Sequence, residues 1–251
     1  MHTALKRVSC LTRFAVGALA LAAFAAGPDA HAQAAINHNK ALAGGVTPGD
    51  AAGYPIRRSV AGSYKLTGNL VVPAGVNGIE IAADNVTLDL NGFSIRSGGV
   101  SSHNGTTFEV VCNGGGAGHF GVYLPISNVS SAVRNGTVQG FSVGVLLEGG
   151  IAESLVVKHN GTGVASNGTL QANRVTGIVA ELNQVGVLMP GGLIERSVAS
   201  SNGVGFQGSD AGVVAVSERH AGRNVVGIKA AAVRGSRANL NKTDLVSTVP
   251  F

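Results

Sequence analysis

HNGTGV (residues 159–164), LNQVGV (182–187), SNGVGF (201–206), RNVVGI (223–228) and LNKTDL (240–245) are five versions of one hexapeptide. Asparagine stands second in each, and the first four end in glycine followed by a large apolar residue. Counted from a similar pair at Gly144 and Val145, the steps between units are 19, 23, 19, 22 and 17 residues. A period of about 20 residues is typical of a solenoid in which each unit contributes one coil.

The repeats are too short, and too rich in Gly, Val, Ala, Ser and Asn, to be helical repeats. Segments such as SLVVKHN (154–160) and VGVLM (185–189) alternate apolar and polar residues as short strands do. The frame of leucine-rich repeats and the glycine–aspartate pattern of calcium-binding nonapeptide repeats are both absent. The sequence therefore predicts an all-β fold, a single-stranded right-handed parallel β-helix of about eight coils.

The spacing also predicts columns of residues that recur at one register in successive coils. The apolar residues after the glycines should form an inward column, namely Ile79, Val122, Val145, Val164, Val187, Phe206, Ile228 and Leu245. A second column of small residues should contain Val157, Ala180, Ala199, Ala221 and Ala238. The asparagines Asn160, Asn183, Asn202, Asn224 and Asn241 should stack at a turn as a structural ladder, because each amide can bond the next.

Residues 1–32 have the pattern of a signal peptide. Lys6, Arg7 and Arg13 precede an apolar run over residues 14–26, which is too short to span a bilayer, and the motif AHA (30–32) suits a signal peptidase. We therefore expect a periplasmic or secreted protein with no transmembrane segment after cleavage.

The rest of the chain divides into two parts. Residues 33–60 lack periodicity and are predicted to cap the first coil, and residues 61–251 form the β-helix domain. The step between the column residues Ile79 and Val122 is 43, about one coil too long, which predicts a loop insertion at residues 99–118.

The runs GSYKLTGNLVV (62–72), GIEIAADNVTLDLNGFSI (78–95) and VRNGTVQGFSVGV (133–145) resemble exported bacterial proteins of the right-handed parallel β-helix, pectin-lyase-like superfamily. The resemblance covers about residues 45 to 245. It implies the β-helix fold, and most such relatives are uncharacterised. Because the superfamily includes polysaccharide lyases and glycoside hydrolases, it also implies a possible action on polysaccharides.

Chemistry-bearing side chains gather in and beside the insertion. His103, Glu109, Cys112 and His119 are the candidate binding residues, since loops carry function on repeat scaffolds. Thiolate and imidazole are metal ligands, but the spacings of nine and seven residues match no compact metal motif. We therefore expect a glycine-rich surface loop with no metal and no cofactor.

The carboxylates give no catalytic pattern. Hydrolysis of a glycosidic bond needs two facing carboxyl groups, which in a β-helix would recur at one register in adjacent coils. Asp84 and Asp89 come nearest to a pair, but Asp89 stands between Leu88 and Leu90 as an outward strand residue. The other acids are scattered by register.

These observations predict a binding or structural scaffold of the cell envelope, with an extended polysaccharide or another envelope component as partner. A carbohydrate-active enzyme, either a polysaccharide lyase or a glycoside hydrolase, is the alternative. Nucleic acid is not expected, since the net charge of +5 falls to +3 without residues 1–32. The open C-terminal end is predicted to be covered by a partner or by a second copy of the chain. The basic residues Arg234, Arg237 and Lys242 should give it partial protection, because their repulsion opposes edge-to-edge stacking.

Overall fold

The computed structural model describes residues 34–107, 109–113, 119–125, 130–167, 173–208, 214–217, 220–229 and 236–246. The predicted signal peptide therefore lies outside the described residues, as does Arg234. Within the described ranges there are 25 strands and one helix of six residues. No helix in these ranges has the length and hydropathy needed to cross a membrane.

The elements follow one another as short strands. The N-terminal third contains β1 (Ala34–Ile36), α1 (His38–Ala43), β2 (Ile56–Arg58), β3 (Gly62–Leu66), β4 (Leu70–Val71), β5 (Ile79–Ile81), β6 (Val86–Asp89) and β7 (Ser94–Arg96). The middle contains β8 (Val100–His103), β9 (Val110–Asn113), β10 (Phe120–Leu124), β11 (Ser131–Gln139), β12 (Val143–Leu147), β13 (Gly150–Lys158), β14 (Thr162–Ser166), β15 (Arg174–Thr176) and β16 (Val179–Glu181). The C-terminal third contains β17 (Val185–Met189), β18 (Gly192–Glu195), β19 (Val198–Ser200), β20 (Val204–Gly208), β21 (Val214–Ser217), β22 (His220–Gly222), β23 (Val226–Lys229), β24 (Arg237–Asn239) and β25 (Thr243–Val246).

Successive coils visit three faces in the same order. The first half of β11 pairs with β6 and its second half with β7, and the bend between them is at Asn135, whose φ is 59°. The 14-stranded sheet thus has two faces: face 1, from β1 through β3 and β6 to β15, β18 and β21, and face 2, from β4 and β7 to β16, β19, β22 and β24. Face 3 is the nine-stranded sheet from β2 to β25. All of these pairings are parallel, which confirms the predicted all-β parallel solenoid.

The predicted inward column lies in face 3 and is continuous. Its residues pair in series from Ile79 through Val122 and onward to Leu245, and those from Ile79 to Ile228 are at most 1% exposed. Ile56 of β2 extends the column by one residue at its N-terminal end. Face 3 therefore has nine strands where about eight coils were counted from the sequence, because the segment before residue 61 contributes one.

The segment over residues 34–60 contributes the terminal strand of two faces. β1 pairs with β3 on face 1, and β2 pairs with β5 on face 3. This segment also encloses an ion pair in which Arg58 Nη2 lies 3.1 Å from Asp50 Oδ2, with both side chains at most 1% exposed. Burial lowers the pKa of Arg58, and the charge of Asp50 opposes that change. Loss of either partner would leave the other charge buried and uncompensated.

Candidate functional site

The five asparagines form a column at the turn between face 2 and face 3. Asn183 is typical: its Nδ2 donates to Val157 O at 2.9 Å in the preceding coil and to Asn202 Oδ1 at 3.0 Å in the next. Its Oδ1 accepts from both the backbone N and Nδ2 of Asn160, at 3.0 and 3.1 Å. The same pattern joins Asn160, Asn202, Asn224 and Asn241.

Both ends of this asparagine column are closed within the protein. Phe141 N donates to Asn160 Oδ1 at 3.0 Å, and Asn241 Nδ2 donates to Asp244 Oδ1 at 2.9 Å. The four asparagines from Asn160 to Asn224 are 0% exposed. Their amide groups are thus engaged in coil-to-coil bonds, which is a structural role.

The described part of the insertion contains an antiparallel hairpin of β8 and β9, which lies along the asparagine column. Ser101 N donates to His159 Nδ1 at 3.2 Å, and Cys112 Sγ donates to Asn160 O at 3.3 Å. Farther along, His103 Nε2 donates to Arg223 O at 3.2 Å. Asn160 and Arg223 are three coils apart, or about 14 Å. The hairpin therefore runs parallel to the axis of the stack and crosses several coils.

The loop candidates do not come together as one binding set. His103 and Cys112 face the stack from the hairpin, whereas Glu109 is exposed near the hairpin's end. His119 lies at the start of β10, where its carbonyl accepts from Val143 N at 3.1 Å. In the part of the chain that the structure describes, no three His, Cys, Asp or Glu side chains are grouped as a metal would require. Cys112 is a free thiol whose sulfur also accepts from Ser101 Oγ at 3.0 Å.

A groove of about 670 Å³ opens where the base of the hairpin meets face 2. We call it the face 2 groove, and its lining residues are Val71, Val72, Ala74, Arg96, Ser97, Gly98, Gly99, Val100, Gln139, Lys158 and His159. The sequence does not single out this groove, because its residues come from four coils and from the insertion. Gly99 N donates to Gly140 O at 3.1 Å and so fixes the base of the hairpin beside the groove.

The floor of the face 2 groove is a polar column along the stack. Arg96 pairs in register with Gln139, and Gln139 with Lys158, so these outward side chains repeat at about 4.8 Å. Arg96 is exposed, and Gln139 and Lys158 are half-buried. Glu181 occupies the next position of the column, just beyond the lining. The groove thus offers two cations and an amide to a ligand, and no carboxylate lines it among the residues that the structure describes.

The acids that came nearest to a catalytic pair do not face this groove. Asp89 Oδ2 lies 3.5 Å from Arg134 Nε on face 1, and Asp89 Oδ1 accepts from Asn91 N at 2.8 Å. These contacts hold a strand end and a turn in place. Asp84 is on the turn before β6. Neither residue is placed to act on a ligand in the face 2 groove.

Comparison of the chain with protein-family models, with curated proteins and with solved structures returned no match. The parallel β-helix part of the sequence resemblance is confirmed by the fold itself.

Proposed function

We propose that this protein is a non-catalytic scaffold that binds an extended acidic polysaccharide in the face 2 groove. The proposal rests on the column of Arg96, Gln139 and Lys158 in a groove whose described lining residues include no carboxylate. Arginine and lysine pair with carboxylate or sulfate groups, and the side-chain amide of Gln139 can donate to sugar hydroxyls.

An extended polymer fits this surface better than a compact ligand. The three polar side chains lie in a row along the stack, on a parallel sheet, and the hairpin base forms one wall. A chain of sugars laid along the row would meet a donor at each coil. Two charge contacts and one amide contact in series then supply affinity without a deep pocket.

We also propose that the scaffold works in the cell envelope or outside the cell, and that it is related to the pectin-lyase-like superfamily. The signal-peptide pattern of residues 1–32 supports export, and the sequence runs described above, together with the parallel solenoid, support the relationship.

Removing both cations of the groove should weaken polymer binding. We expect the double variant Arg96→Ala/Lys158→Ala to bind polygalacturonate at least tenfold less tightly, because partly exposed charge pairs contribute about 1 kcal/mol each. Titration calorimetry would measure the loss, and wild-type affinity should fall with added salt.

The matched control is Lys229→Ala/Lys242→Ala, which removes the same charge from exposed positions outside the groove. If both double variants lost affinity equally, binding would depend on net charge and not on the groove.

Incubation of the wild type with polygalacturonate and calcium tests the alternative function, a carbohydrate-active enzyme. Unsaturated or newly reducing sugar ends, absent after heat treatment, would favour a carbohydrate-active enzyme.

Replacing residues 99–118 by a short Gly-Ser link should separate binding from folding. We expect the parallel sheets to persist with a loss of about 1–2 kcal/mol, because the bonds from β8 and β9 to the stack are few and partly solvent-exposed. The loss of polygalacturonate binding free energy should exceed this loss of stability, because Gly99 and Val100 line the groove. Circular dichroism and urea unfolding measure the first effect, and an unfolded variant would show that the insertion belongs to the core.

A further inference from the structure

Two aromatic side chains lie together on the outer surface of face 3. Phe120 and Tyr123 belong to β10, and their ring centroids are 5.2 Å apart with a tilt of 31°. The two residues between them, Gly121 and Val122, are buried, which leaves both rings half-buried on the outside. The chain has no tryptophan, three tyrosines and eight phenylalanines, so few rings are available to form such a pair.

Two carboxylates flank the rings, each held by an amide. Tyr123 hydroxyl donates to Glu148 Oε2 at 3.2 Å, and Asn167 Nδ2 donates to Glu148 Oε1 at 2.9 Å. On the other side Glu80 is in register with Tyr123, and Asn77 Nδ2 donates to Glu80 Oε1 at 2.9 Å.

The patch is ordered before any ligand arrives. Asn77 Oδ1 accepts from Phe120 N at 2.9 Å, so one amide positions both a carboxylate and an aromatic strand. Burial, and then the charge of Glu148, raises the pKa of Tyr123. Loss of the phenol proton, which would break the bond to Glu148, is therefore shifted to higher pH. The side chains come from four successive coils, a span of about 14 Å.

We propose that this surface, which we call the Tyr123 patch (Glu80, Phe120, Tyr123, Glu148 and their amide partners), is a second glycan site that takes uncharged pyranose units. The apolar face of a pyranose ring packs on the aromatic rings, and the carboxylates and amides bond its hydroxyls. Arg57 lies beside the patch, in register with Glu80, so both charged residues of the patch as defined are acids. The carboxylates of Glu80 and Glu148 beside the rings disfavour uronates, which are the ligands proposed for the face 2 groove.

The test uses cellohexaose, mannohexaose and chitohexaose as probes on the full chain. We expect the wild type to bind at least one of them, and Phe120→Ala/Tyr123→Ala to lose that affinity at least tenfold. The same variant should retain polygalacturonate binding, while Arg96→Ala/Lys158→Ala should retain the neutral probe. Glu80→Gln should raise the affinity of the patch for hexagalacturonate relative to the neutral probe, because it removes a repelling charge.

A measurement on the wild type keeps the proposal testable if the double variant does not fold. The ring NMR signals of Tyr123 should shift on titration with the bound probe, and those of Tyr64, which is 4% exposed, should not. The proposal is overturned if none of the three neutral probes binds at millimolar concentration. It is also overturned if the probe binds equally well to a folded Phe120→Ala/Tyr123→Ala variant. Neither outcome bears on the face 2 groove, whose ligand and residues are different.

Discussion

Val187→Asp is expected to destabilise the protein by about 4 kcal/mol or more. Val187 is 0% exposed and lies in the inward column between Val164 of the preceding coil and Phe206 of the next. An aspartate there would place a carboxylate among aliphatic groups without a cation, which costs several kcal/mol even if the group takes up a proton. Urea unfolding followed by circular dichroism measures the change.

Leu188→Asp is the matched control for this prediction. Leu188 is the next residue on the same strand, points outward in register with Gln207, and is half-buried. The same carboxylate at this position can remain hydrated, so the loss should be much smaller. Equal destabilisation by the two variants would contradict the assigned inward register.

The inward positions could be predicted because every coil meets the same steric demand. Gly186 shows why glycine recurs: a Cβ there would lie 2.5 Å from Gly205 O and 3.3 Å from Asn202 Nδ2. The backbone of the next coil and the asparagine amide fill the space that a side chain would need. The residue after it must then fill the core, as Val187 does. Both demands are local and repeat with the coil, so they leave a period in the sequence.

The outward positions left no such period, and the two proposed sites lie there. Arg96, Gln139 and Lys158 share one register but differ in type, because an outward position tolerates any polar residue. Aligning SIR (94–96), TVQ (137–139) and VVK (156–158) would have placed them together. The hairpin offers no comparable signal, since the bond from Ser101 to His159 joins residues 58 apart.

The predicted loop set was a grouping by residue type, and the structure shows why type alone was insufficient. His103 and Cys112 point from the hairpin to carbonyls of different coils, Arg223 O and Asn160 O. Their side chains secure the hairpin to the turn between face 2 and face 3. The insertion residues that line the groove are instead those at the base of the hairpin, Gly99 and Val100.

Asn183→Leu is expected to cost about 3–5 kcal/mol, although leucine is apolar and similar in size. The substitution removes four hydrogen bonds, two donated by Asn183 Nδ2 and two accepted by its Oδ1. It leaves the backbone N and Nδ2 of Asn160 and the Oδ1 of Asn202 short of partners in a region that is 0% exposed. Unsatisfied buried groups cost about 1–3 kcal/mol each, which exceeds the gain from the added apolar surface.

The control for this variant is Gln184→Leu, at the exposed next position, which should change the unfolding free energy by less than about 0.5 kcal/mol. The double variant Asn183→Leu/Asn202→Leu adds a sharper test. Because the two amides bond each other, the second loss should be smaller than the first, and the double-mutant cycle should show coupling of about 1 kcal/mol or more. Strict additivity would mean that each asparagine acts alone, and the coil-to-coil bonds would then not be the source of the column's stability.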